Sequence, residues 1–197
     1  MTSDSTPERV LDVATRLFAE LGYDGTSTRM IAEAAGLNIA TVAYHAGGKR
    51  DLYLAVMERA HHAERTALEN VLATFTPDGP GIHRLLDAYL DFGVERPEIP
   101  ALWMHRWLSD AADVAHLESL YVRPMIEMIC AAVKPAVGAG VDVEYAVMTV
   151  IWCTHGFARG GVLDPDGRRQ GVGDPREVER FRAHLHLLVD RLLGLPG

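Results

Sequence analysis

The chain has 197 residues, 48% of them hydrophobic and 23% charged, with a formal net charge of −8. That apolar content excludes disorder along the chain, and the length suits one large domain or a small one joined to a medium one, with no need of disulfides or metals to fold. The acidic balance argues against a general polyanion binder, though not against a site-specific DNA reader with a small basic face.

In chain order, the polar and acidic start MTSDSTPERVLD lacks the basic and apolar segments of a signal peptide, so a cytoplasmic location is expected. No window approaches 18 uninterrupted apolar residues, and no membrane span is expected. Behind Pro7, the residues Val10, Val13, Ala14, Leu17, Phe18 and Leu21 form one apolar helix face, stopped by Gly22. Ser27 or Thr28 caps a short helix with Ile31, Ala34 and Ala35 inward, and Gly36 supplies the positive φ that closes a turn. Leu37 plugs the core, and Asn38 caps a second short helix from Ile39 to about Tyr44. A helix this short gains nothing from intrinsic propensity, so one that exposes Thr41, Tyr44 and His45 has little reason to exist unless something docks there. Helix, tight turn, helix is the layout in which the second helix enters the DNA major groove.

Leu52, Val56 and Ala60 begin a longer helix to about Phe75, and Leu85, Leu86, Tyr89 and Phe92 mark another ending at Pro97. Trp103, His105 and Trp107 cannot all face one way on a helix, so some of them line a cavity or the surface. The stretch 141–163 is apolar nearly all round and must be buried on most sides, which in so short a chain suggests a partner subunit. Its small stripe, Thr149, Cys153, Gly156 and Gly160, would let a neighbouring backbone come close. With the stripe Phe181, Leu185, Leu188 and Leu192 it is expected to form a four-helix bundle with its symmetry mate. That choice turns Tyr145, Met148, Trp152, His155 and Arg159 towards the subunit's own interior. Joined by Trp103, Trp107 and Met125, they would form a pocket with an aromatic wall and a cationic or imidazole handle, for a planar or amphipathic ligand with an acceptor or anion.

No alternating strand is evident, so the chain is expected to be all-α with about nine helices. A helix-turn-helix domain in 1–55 would precede a helical ligand-binding and dimerisation domain in 56–197. Cys130 and Cys153 read as reduced core thiols. His61-His62 and His184-x-His186 cannot both present two rings on one helix face, and no H-E-x-x-H, C-x-x-C, G-x-S-x-G, P-loop or dinucleotide pattern occurs. No enzyme activity, cofactor or metal site is expected.

The motif residues carry a resemblance. Gly22-Tyr23, Thr26-Ser27, Ile31-Ala32, Ala35-Gly36-Leu37, His45, Lys49 and Leu52 match in type and spacing the N-terminal pattern of the TetR family of bacterial regulators, over roughly residues 7–55. The chain departs from the family at Ala46, where an aromatic normally packs the reading helix on its core. The resemblance implies that Thr28 and Arg29 meet phosphate, and that Asn38, Ile39, Ala40, Thr41 and Tyr44 face the groove. Asn38 would pair with adenine and Ile39 and Ala40 would touch a thymine methyl, while His45 and Lys49 hold phosphates. It further implies a homodimeric, ligand-responsive repressor on a pseudo-palindromic double-stranded operator, released by a small-molecule effector. Ala46 keeps an alternative in view: a helical ligand-binding or adaptor protein that has lost DNA binding.

Overall fold

A computed structural model of the chain describes residues 6–108, 111, 114 and 116–195. Among these residues there are nine α-helices: α1 (Thr6–Gly25), α2 (Thr28–Ala35), α3 (Ile39–Ala46), α4 (Lys49–Leu72), α5 (Gly79–Glu95), α6 (Glu98–Trp107), α7 (Arg123–Val133), α8 (Val143–Gly160) and α9 (Pro175–Leu193). A π turn, Glu118–Val122, leads into α7. A two-stranded antiparallel hairpin, β1 (Val162–Leu163) with β2 (Arg169–Gln170), lies between α8 and α9. The all-helical expectation missed this hairpin because two-residue strands leave no alternation to read. Its turn is held by Asp164, whose Oδ1 accepts from the backbone N–H groups of Asp166 and Arg168 at 2.9 and 2.8 Å. No helix of the described residues is long and apolar enough to cross a membrane.

The chain divides into two compact units. The first holds the described residues up to His62 together with those of Glu98–Leu117; the second holds Ala63–Pro97 and the described residues from Glu118 onward. The boundary that the sequence pattern places after residue 55 lies within the continuous helix α4. Its first turns carry Leu52, Tyr53, Val56, Met57 and Ala60 into the core of the first unit. The helix α6 also joins that unit, with Ile99, Leu102 and Trp103 buried and His105 Nε2 lying 3.2 Å from the Ala19 carbonyl of α1.

Local chemistry sets the first unit. Val10, Val13, Ala14 and Phe18 put the apolar face of α1 inward at helical spacing. Gly22, at φ 74°, breaks the helix, and the buried Thr26 hydroxyl donates to the Gly22 carbonyl at 2.7 Å to fix the bend. Ser27 caps α2 by accepting from Met30 N–H, and Gly36, at φ 66°, closes its C-terminus in the left-handed region.

In the second unit the core joins Leu85, Leu86 and Leu90 of α5, Ala146 of α8, and Leu185, Val189 and Leu193 of α9. Along the α5–α9 contact, polar residues four apart pair in antiparallel order. His83 Nε2 meets Asp190 Oδ1 at 2.7 Å, and His186 Nε2 meets Asp87 Oδ1 at 2.7 Å. Arg182 donates to Asp87 at 3.0 Å and also to Asp91. The His83 and His186 rings stack at 4.1 Å.

Candidate functional site

In the first unit, Val42 is the buried residue that anchors α3. Around it the helix exposes Ala40, Ala43 and His45, with Ile39 at 48% and Tyr44 at 84% exposure. An eight-residue helix with this much apolar surface outward is unusual for a monomer's exterior. All nine residues expected to meet DNA are at least partly exposed, at the start of α2, on α3 and at the start of α4. Lys49 Nζ stands 4.2 Å from the centroid of the Tyr23 ring, which holds the ammonium at the head of α4. Arg29 lies in an exposed pair with Glu33 at 3.2 Å. Asn38 caps α3, as its place before Ile39 leads one to expect. Its Oδ1 accepts from Thr41 N–H at 2.7 Å and from the Thr41 hydroxyl at 3.0 Å, so both lone pairs are taken by the helix cap.

Ala46 is half-buried. The aromatic packing of this unit comes from α1 and α4, where Tyr53 lies 5.1 Å from Phe18 and 4.8 Å from Tyr23, centroid to centroid.

The second unit holds a partly open cavity of about 110 Å³. Its walls are aliphatic, with Leu68, Ile82, Leu86, Val150 and Leu192 among them, and Glu64 and Tyr89 supply its polar groups. Of the eight residues expected around a ligand, Met125 lines this cavity. Trp103 and Trp107 belong to the first unit, Trp103 only 3% exposed in its core. On α8 the cavity is faced by Ala146, Val147, Val150 and Ile151. Trp152, at 48%, and Arg159 are exposed, and Met148 is half-buried. The helix is therefore turned away from the expected orientation. Burying Val and Ile is cheaper than burying a guanidinium, and a helix apolar all round gives no stronger signal of which side faces in. His155 is buried and shares a 2.8 Å hydrogen bond with the Tyr89 hydroxyl. Burial pulls the His155 imidazole down to about 4 and, with the nearby Glu64 carboxylate second, pushes the Tyr89 hydroxyl well above its ordinary value.

The stripe expected at a partner is also divided. On α8, Gly156 is exposed, Thr149, Cys153 and Gly160 are half-buried, and Tyr145 beside them is 66% exposed. On α9, Leu185 has no exposed surface, Leu192 lines the cavity and Phe181 stacks on Phe157 at 4.1 Å. Leu185 thus packs in the core of the second unit. Leu188, also of the expected stripe, is half-buried, and Leu187 beside it is exposed.

Residues 10–56 match the family model of bacterial regulatory proteins, tetR family. The HTH-type transcriptional repressor AcnR of Corynebacterium efficiens is 38% identical over 66 residues, which is 33% of this chain and 35% of that protein. The chain thus matches about a third of the length of its curated relatives. Likeness over the whole chain comes from solved structures. A TetR-like transcriptional regulator from Rhodococcus superposes with a TM-score of 0.74 at 18% identity, covering 98% of each chain. The TetR family regulator PfmR of Thermus thermophilus gives 0.67 at 22% identity, covering 99% of this chain and 100% of that one. Residues 10–56 thus carry the motif of the tetR family of bacterial regulatory proteins, and the described chain has the fold of the solved TetR-family structures.

Proposed function

We propose that the chain is a DNA-binding transcriptional regulator, a repressor that acts in the cytoplasm as a homodimer on a pseudo-palindromic operator. The observation that carries this reading is α3, a capped two-turn helix whose exposed face is Ile39, Ala40, Ala43 and Tyr44, followed by Lys49 held at the head of α4. Such a helix fits the major groove, and neighbouring cations fit the phosphates. Dimerisation uses the outer side of α8, around Gly156, Trp152 and Tyr145, with Leu188 of α9; two reading helices then meet two half-sites. The effector occupies the apolar cavity of the second unit. The continuous helix α4 lends Leu68 and Val71 to the cavity and Leu52 and Val56 to the core of the first unit. An effector that fits better with α4 tilted favours the state in which the operator is released.

The test is nuclease footprinting of the full chain on DNA upstream of its own gene. The expected result is a protected, roughly two-fold symmetric site that disappears with Tyr44→Ala. Absence of protection on every fragment tried would overturn the reading in favour of an adaptor that has lost DNA binding.

A further inference from the structure

The chemistry of α3 narrows the kind of base sequence it can select, given the reading above that α3 is the helix that enters DNA. Base edges are met by the N-terminal residues of such a helix, here Asn38, Ile39, Ala40 and Thr41. Bidentate reading of adenine by an Asn needs its Oδ1 free to accept from the adenine amino group. The Oδ1 of Asn38 already takes Thr41 N–H at 2.7 Å and the Thr41 hydroxyl at 3.0 Å, and releasing it would uncap an eight-residue helix. The Thr41 hydroxyl proton is committed in the same contact. From Ile39 to Ala46 there is no Arg, Lys, Gln, Glu or Asp, so the side chains that pair bidentately with guanine or accept from cytosine are missing from α3. At its N-terminal end, where base edges are met, α3 presents hydrocarbon outward, Ile39 at 48% exposure and then Ala40 and Ala43, with the exposed Tyr44 and His45 following towards its C-terminal end. The thymine C5-methyl is the apolar feature of the major-groove floor.

We propose that the chain selects its operator half-site through thymine methyl groups packed against Ile39 and Ala40, with Asn38 acting as a helix cap and not as a base reader.

The experiment is selection of duplexes from a random pool by the full-length chain, followed by replacement of single thymines with deoxyuridine, which removes the methyl and keeps the pairing. The expected operator carries thymines at neighbouring positions in each half-site. Each uracil at a contacted position should weaken binding about fourfold, the worth of one buried methyl. Ile39→Ala should abolish the thymine–uracil difference at its own position. Asn38→Ser keeps a capping oxygen and should leave the selected sequence unchanged, with affinity within about twofold. Wild-type binding that ignores every uracil, or an Asn38→Ser protein that loses selection at an adenine, overturns the proposal while leaving DNA binding intact. Failure to select any duplex overturns both.

Discussion

His155 is 3% exposed against Tyr89, and burial lowers its imidazole to about 4 from the ordinary 6.5. Between those two values the unfolded chain binds a proton that the folded chain refuses. The contribution is therefore fully present above pH 6.5 and is lost as the pH falls through the window towards 4. At about 1.4 kcal/mol per pH unit, the loss reaches about 3 kcal/mol. Urea unfolding at pH 7.5 and pH 4.5 checks this: wild type should lose about 3 kcal/mol more than His155→Gln over that interval, and parallel losses would refute it. Lys49 belongs to the same scale. Its ammonium stands 4.2 Å from the Tyr23 ring centroid, and the proposed function gives it one phosphate to neutralise. Lys49→Ala should therefore lower the slope of log affinity against log salt by about one, as read from operator titrations across a salt series. Residue types and spacing single out Lys49 at the head of α4 and Tyr44 on α3, and the structure leaves Tyr44 exposed and Lys49 partly exposed. Asn38 is less legible, because Asn suits both a cap and an adenine, and the Thr41 hydroxyl that occupies its Oδ1 carries no sequence signal of its own.

Among the elements, legibility follows contrast. The helices α1, α2 and α3 announce themselves by Gly22, Ser27, Gly36 and Asn38, each of which has one physical job at a helix end. The helix α8 announces only that it is buried on most sides, because aliphatic, aromatic and small residues surround it. The structure turns Val147, Val150 and Ile151 to the cavity and leaves Trp152 and Tyr145 outward. The α5–α9 ladder had a signal in the spacing of His83, Asp87 and Asp91 against Arg182, His186 and Asp190, but reading it requires knowing that those two helices are antiparallel neighbours. The outward face of α8 carries its own test. A Cβ at Gly156 meets nothing within 4 Å, so Gly156→Trp adds a large side chain without disturbing the subunit. Sedimentation should show a wild-type dimer and a monomeric, fully helical Gly156→Trp protein. A variant that stays dimeric would move the interface off this face. Leu185 is unsuited to the same test, since a charge at a site with no exposed surface would unfold the subunit before it dissociated a dimer.

For the whole molecule, charge limits how DNA can be held. The net charge is −8, and residues 1–55 carry five basic side chains against seven acidic ones. On the proposed reading, affinity for arbitrary DNA should therefore be weak, and useful binding should depend on a few placed cations, apolar contact with base edges, and doubling of both by a dimer. The most direct measurement is fluorescence anisotropy of a labelled operator duplex and of a scrambled duplex of the same composition. Each is titrated at physiological salt with the full wild-type chain and with Tyr44→Ala. The expected result is two chains per operator, wild-type affinity for the operator about a thousandfold above that for the scrambled duplex, and loss of that preference in Tyr44→Ala with helicity unchanged. Equal wild-type affinity for the two duplexes, or no binding to either, would contradict a regulator that reads DNA through α3.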